Sequence, residues 1–137
     1  MAKFDIEISE VGPRDGLQSI STIMPTADKL AWIDALAAAG VPEIEVGSFV
    51  PASVLPQLAD TAEVARYARE IAGLSVAVLV PNFRGAQNAI LVRPTKMSIP
   101  LSVSETHSLR NVKRNHQQVL EEVKRIAQLV KSLPVDQ

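Results

Sequence analysis

Val76-Ala77-Val78-Leu79-Val80, running straight into Pro81-Asn82-Phe83, is the stretch that decides the architecture. A continuous apolar run of this length leaves no polar face, as in a strand covered on both sides, and such strands belong to parallel sheets flanked by helices. Asn82 is placed to cap a following helix, which Pro94 stops. Upstream, residues 43–47 read as a shorter strand with Glu43, Glu45 and Gly47 on one side and Ile44 and Val46 on the other. Between the two strands, Asp60 and Glu63 have capping-box spacing and open a helix that ends at Gly73. Further upstream still, Phe4, Ile6 and Ile8 alternate with Asp5, Glu7 and Ser9, a period of two that indicates a first strand ending at Gly12-Pro13. Thr26 is the expected N-cap of a helix through Leu30, Ile33, Leu36 and Ala37, closed by Gly40. Downstream, residues 97–103 supply a fourth strand, and Val119, Val123, Ile126, Val130 and Leu133 form the apolar stripe of a last helix.

Four strand-helix units in strict alternation imply parallel strands joined by right-handed crossovers, an α/β fold with helices on a parallel sheet. Two architectures fit. An open doubly wound sheet can be complete in 137 residues, whereas an eight-unit barrel typically needs about 250. Against the open sheet, the first strand-to-helix turn lacks the G-x-G-x-x-G of a dinucleotide site. There is no internal repeat beyond the strand-helix period and no linker, so residues 1–137 read as one unit.

Composition excludes several functions. A formal charge of -1 offers no global field for nucleic acid or an anionic membrane, and no apolar run reaches the roughly 18 residues of a membrane span. With neither a signal core nor an Arg-rich presequence, a cytoplasmic location is the default expectation. The absence of cysteine removes disulfides, thiolate metal sites and a thiol nucleophile from this chain. His107 and His116, the only histidines, have no metal-ligand spacing, and no G-x-x-x-x-G-K phosphate loop is present.

In parallel α/β proteins ligands bind at the carboxyl ends of the strands. After the first strand comes Val11-Gly12-Pro13-Arg14-Asp15-Gly16-Leu17-Gln18. Asp15 can offer a hard oxygen to Mg or Mn, and Arg14 can hold a developing oxyanion in its fork of donors; a turn with a surface ion pair is the plain alternative. Glu45, opposite the aliphatic side of its strand, faces the inside of a closed barrel, where an ionised carboxylate needs a partner such as Arg14; in an open sheet it would be solvated. Ser48-Phe49-Val50-Pro51 and Pro81-Asn82-Phe83 occupy the ends of the next two strands, with loop punctuation and capping as the simpler account. Between Glu105 and Lys131 positive charges exceed negative by three. Arg110, Lys113 and Arg114 there could meet phosphates, although a solvated helix face explains them as well.

The segment Glu10-Val11-Gly12-Pro13-Arg14-Asp15-Gly16-Leu17-Gln18 resembles the signature of hydroxymethylglutaryl-CoA lyases, among the metal-dependent lyase and synthase barrels that share an R-D-G-x-Q turn. Ile44-Glu45-Val46-Gly47-Ser48-Phe49-Val50, Pro56-Gln57-Leu58-Ala59-Asp60 and Pro81-Asn82-Phe83-Arg84-Gly85 are similar to family segments in the same order. The resemblance implies the first four units of a TIM (β/α)8 barrel, an N-terminal half. It implies Asp15 as a metal ligand, Arg14 as the group that stabilises a thioester enolate, Glu45 as the carboxylate that orients them, and Gln18 with Arg14 in substrate binding. It further implies a divalent cation, Mg or Mn, whose remaining ligands are absent from this chain, and an acyl-CoA substrate cleaved to acetyl-CoA and a keto acid such as acetoacetate. The family's H-x-H strand and glycine-rich Cys loop belong to a missing C-terminal half. A half-barrel alone is expected to self-associate and to be inactive. Ser19-Ile20 and Pro51-Ala52-Ser53 depart from the family pattern and leave room for a related substrate such as citramalyl-CoA. Gly12-Pro13 argues against a condensing synthase of the isopropylmalate type, and a catalytically inactive half-barrel is the other alternative.

Overall fold

A computed structural model describes residues 5–134. Its chain order is β1 (Ser9–Glu10), α1 (Thr26–Ala38), β2 (Glu43–Ser48), α2 (Thr61–Arg69), β3 (Ser75–Leu79), α3 (Phe83–Ala89), β4 (Lys96–Ser98), α4 (Glu105–Val112) and α5 (His116–Lys131). The four strands form one parallel sheet in the order β1-β2-β3-β4. The α/β class and the unit-by-unit alternation read from the sequence are therefore what the chain adopts.

The two faces of the sheet differ in chemistry. Ile44 and Val46 of β2 and Val76 and Val78 of β3 are at most 2% exposed and pack with Val80 against Ile33, Val64, Ala65, Ala68, Ala86 and Ala89 of the covering helices. Each such Val or Ile contributes about 1.5–3 kcal/mol of transfer free energy. On the other face stand Glu43, Glu45, Ser75, Ala77 and Lys96, aligned by the register Glu43↔Ser75, Glu45↔Ala77 and Ala77↔Lys96. All six residues of β2 are buried even though four of them are polar or glycine, so strand alternation there sorts residues between a core and a charged interior. A bulge between Glu45 and Gly47 shifts the β2-β3 register. Gly47 lies at this shift because a Cβ there would run into the Thr61 side chain, 2.7 Å from its Cγ2.

Several local expectations are corrected. The first strand is only Ser9–Glu10; Ile6 and Ile8 are 82% and 67% exposed, and Phe4, which opens the expected alternation, lies outside the described residues. Their alternation has no covering layer among the described residues to bury it. The fourth strand is three residues long rather than residues 97–103, because Pro100 has no N–H to continue a ladder, and Val103 is 97% exposed. Thr26 is the first residue of α1 rather than its cap, and the Asp60-Glu63 capping box does not form. Both side chains have another use: the Thr26 hydroxyl donates to Asp60 Oδ2 at 2.8 Å, and Lys29 Nζ donates to Asp60 Oδ1 at 2.5 Å. The Asn82 cap is made, its Oδ1 accepting from Gly85 N–H at 2.9 Å. Helix α2 stops at Arg69, and Gly73 takes its left-handed φ of 79° in the turn beyond. Of the last stripe, Val119 and Ile126 are buried while Val130 is 41% exposed. The two histidines lie on helices, His107 in α4 and His116 at the start of α5. Among the described residues no helix is long and apolar enough to cross a membrane.

Candidate active site

The loop after β1 is not an ordinary turn. Residues Gly12–Gly16 wind into a widened π-type turn, in which the Val11 carbonyl accepts from the N–H groups of Arg14 (3.1 Å), Asp15 (2.6 Å) and Gly16 (3.4 Å). Leu17 N–H closes the turn on the carbonyls of Gly12 and Arg14. Such turns recur at functional sites. Pro13, which has no N–H to satisfy, is buried near its start, and Leu17, 4% exposed, anchors its end. Gly12 is required by close approach: its N–H donates to Glu10 Oε1 at 2.7 Å, and an added Cβ would stand 2.9 Å from Trp32 Cζ2.

This winding brings Arg14 over the charged face of the sheet. Arg14 Nε donates to Glu45 Oε1 on β2, and Arg14 Nη1 donates to Asp15 Oδ1 at 3.0 Å. The Arg14 and Glu45 side chains are 16% and 8% exposed, whereas Asp15 is 58% exposed. Three of the four residues singled out from the sequence are thus in direct contact. Gln18, the fourth, sits half-buried one residue past the turn. A guanidinium held by two carboxylates on two of its edges is rigid and keeps its remaining N–H groups for an external acceptor.

A second ion pair, not anticipated from the sequence, lies on the same face. Lys96 Nζ donates to Glu43 Oε1 at 2.8 Å, and Ser75 Oγ donates to Glu43 Oε2 at 3.1 Å. The hydrogen bond from Lys96 holds the Glu43 carboxyl below its ordinary range; burial opposes this, while Ser9 and Ser75 assist it. The same contact raises the Lys96 ammonium. Strand alternation could have revealed the pair, because Glu43 shares a side with Glu45. Lys29 was also missed. It is 2% exposed, and its position four residues before Ile33, on one helical face, was the available signal.

The remaining expected positions are structural or peripheral. Ser48 is 1% exposed, and its N–H donates to Thr61 Oγ1 at 3.0 Å. Phe49, Asn82, Arg66 and Arg84 line a cleft of about 540 Å³ between α2 and α3 that neither Arg14 nor Asp15 borders. Arg110 and Lys113 are exposed at the end of α4. Among the described residues no three His, Cys, Asp or Glu side chains gather as a metal site. Asp15 is the one exposed carboxylate beside Arg14, and one carboxylate is too few for a metal centre.

Solved structures carry the same arrangement of elements. A Pseudomonas aeruginosa hydroxymethylglutaryl-CoA lyase is 36% identical with a TM-score of 0.85, over 92% of this chain and 42% of that one. An Acinetobacter baumannii HMG-CoA lyase, solved in complex with coenzyme A and 3-methylmalate, is 32% identical with a TM-score of 0.87, over 95% of this chain and 43% of that one. Among curated proteins, the mitochondrial hydroxymethylglutaryl-CoA lyase of Bos taurus is 41% identical over 107 residues, 78% of this chain and 33% of the relative. The Bacillus subtilis hydroxymethylglutaryl-CoA lyase is 37% identical over 121 residues, 88% of this chain and 40% of the relative. The chain therefore spans about a third to two fifths of the length of these curated relatives, and its four parallel strands correspond to part of a TIM-type barrel. With the HMGL-like family model matching residues 5–136 as well, the chain belongs to the HMGL-like family.

Proposed function

We propose that this chain supplies one part of the active site of a carbon-carbon lyase that cleaves a 3-hydroxy-3-methylacyl-CoA, such as 3-hydroxy-3-methylglutaryl-CoA, by a retro-Claisen reaction. Residues 1–137 are then the first four units of an eight-unit barrel. The observation that carries the reading is the Arg14-Glu45 pair inside the sheet, with Asp15 on the same guanidinium.

In a retro-Claisen cleavage the hydroxyl proton is removed, the carbon-carbon bond breaks, and negative charge moves onto the thioester oxygen of the departing acetyl unit. Arg14 meets that charge: Glu45 and Asp15 fix its plane, so its free N–H groups need no reorganisation as the enolate forms. Gln18 binds substrate beside it. Glu45 acts through Arg14, as a positioning carboxylate. Asp15 is the oxygen this chain would lend to a divalent cation, Mg or Mn, and the other ligands lie outside the described residues.

The test is cleavage of the acyl-CoA by the natural gene product, followed as acetyl-CoA release, in the parent and in Arg14→Met. Loss of one oxyanion donor of this kind lowers kcat by about 10²–10³-fold. Cleavage that survives Arg14→Met within a few-fold of the parent would refute the assignment. Condensation of acetyl-CoA with a 2-oxo acid in place of cleavage would reverse the direction proposed.

A further inference from the structure

The segment Pro56-Gln57-Leu58-Ala59-Asp60 and the buried Lys29 remain without a part in this chemistry, and their contacts supply one. Lys29 Nζ, on a side chain 3% exposed, donates to the Gln57 carbonyl at 2.6 Å and to Asp60 Oδ1 at 2.5 Å. Thr26 occupies the other carboxylate oxygen of Asp60 at 2.8 Å. An ammonium so deeply buried is tolerable only where its charge is matched and its protons are accepted, so α1 is pinned to the short helical turn Pro56–Leu58. The Gln57 side chain then points back across to the loop that follows the active-site turn: its Nε2 donates to the Ile20 carbonyl at 2.6 Å. Ser19, next to Ile20, donates from Oγ to the Asp15 carbonyl at 2.8 Å and from N–H to the same carbonyl at 3.2 Å. Covalent and hydrogen bonds thus run without a gap from Asp60 and Lys29 through Gln57, Ile20 and Ser19 to the backbone of Asp15.

We infer that Lys29, Gln57 and Asp60 form a positioning cluster, with Gln57 as the arm that sets where the 15–20 turn holds Asp15 and Gln18. The inference rests on the reading of Asp15 and Gln18 as site residues for its functional meaning, while the coupling itself is a property of this chain. A second observation separates positioning from bulk stability. Gln57 Oε1 is buried with no hydrogen-bond partner among the described residues. Its cost offsets much of what the Nε2 contact contributes, so removing the whole amide is close to neutral for the fold. A glutamine kept merely for stability would gain little there, whereas one that aims a loop justifies the unpaired oxygen.

The experiment uses the natural gene product and two variants of it, Gln57→Leu and Lys29→Met. Gln57→Leu removes the arm and the unpaired oxygen but keeps the main-chain carbonyl that receives Lys29. Amide hydrogen exchange at Ser19 and the side-chain Nε–H resonance of Arg14 are the readouts, with thermal melting alongside. The expected result for Gln57→Leu is about a fivefold loss of Ser19 protection and a displaced Arg14 Nε–H resonance at an unchanged melting temperature. Lys29→Met is expected to show the same local changes and to melt earlier as well. Unchanged Ser19 protection and an unchanged Arg14 resonance in Gln57→Leu overturn the inference, as does a loss of protection shared equally by β2 and β3. Because neither readout depends on turnover, these outcomes are independent of whether Arg14→Met abolishes cleavage.

Discussion

Replacing Glu45 by Gln keeps the shape of the side chain and one acceptor but takes away the charge opposite Arg14. The magnitude follows from burial. Stripping one partner from a fully buried pair costs about 3–5 kcal/mol. Here the Arg14 side chain is still 16% exposed and holds Asp15 at 3.0 Å after Glu45 is neutralised, which places Glu45→Gln nearer about 2 kcal/mol. Arg14→Met is the harsher change, because it strands a carboxylate 8% exposed in the sheet interior, and about 3–4 kcal/mol is expected. The double variant removes both charges together, and its loss falls short of the sum of the two by about 2 kcal/mol, the coupling energy of the pair. Urea unfolding followed by tryptophan fluorescence measures this well. Trp32, the only tryptophan, packs against Gly12 at the base of the Gly12–Gly16 turn. With a urea slope of about 2 kcal/mol per molar, the single variants unfold about 1–2 M earlier than the parent. If the two single effects add to within about 0.5 kcal/mol in the double variant, the guanidinium and the carboxylate are not engaged and the site geometry argued from them is wrong.

Three further outcomes are expected. Gly47→Ala should destabilise the chain by about 1–3 kcal/mol, because its Cβ must displace Thr61, whose hydroxyl joins Ser48 N–H to the Leu58 carbonyl; an unfolding midpoint equal to the parent's would show that Thr61 yields freely. Glu43 has a depressed folded pKa, chiefly through Lys96, so its contribution is present above the unfolded value of 4.5 and is lost as pH falls through the lower folded value. Lys96→Met should therefore lose less melting temperature than the parent between about pH 5 and pH 3, and parallel curves would count against the ion pair. Light scattering should find the isolated chain self-associated, because β1 and β4 each lack one ladder partner among the described residues and Ile6, Ile8, Leu101 and Val103 are exposed; a stable monomer contradicts this.

How much could be read from the sequence depended on whether a residue type has one dominant physical use. The apolar run of β3 has only one environment that suits it, and the structure buries it on both faces. Asn82 before a helix is similarly unambiguous. Glu45 could be assigned a side because strand alternation is strict, and the aliphatic neighbours Ile44 and Val46 determined which side was core. Capping spacings at Thr26 and Asp60 misled because tertiary partners take the side-chain oxygens: the Thr26 hydroxyl donates to Asp60, and Asp60 accepts from Thr26 and the buried Lys29; spacing along one chain segment carries no trace of partners 34 and 31 positions away. β1 was overextended because alternation predicts a strand only where a second layer covers it, and β4 because Pro100 cannot donate to a continuing ladder. The π-type turn was visible as two glycines and a proline, but not its winding, which depends on Leu17 and Pro13 finding buried places.

The strand order has a consequence for how the chain comes to be folded. Each strand after the first pairs with the strand that immediately precedes it, and α2 packs on β2 and β3, the two strands it joins. Nothing already placed has to open for the next unit to join. A nascent polypeptide could thus acquire this fold stepwise as it leaves the ribosome, each unit docking on a finished edge, with the loop closures kept short. The edge awaiting its neighbour at every step is also the surface most exposed to mispairing, so slow synthesis or a crowded chaperone system should reveal itself first as intermolecular strand addition at β4.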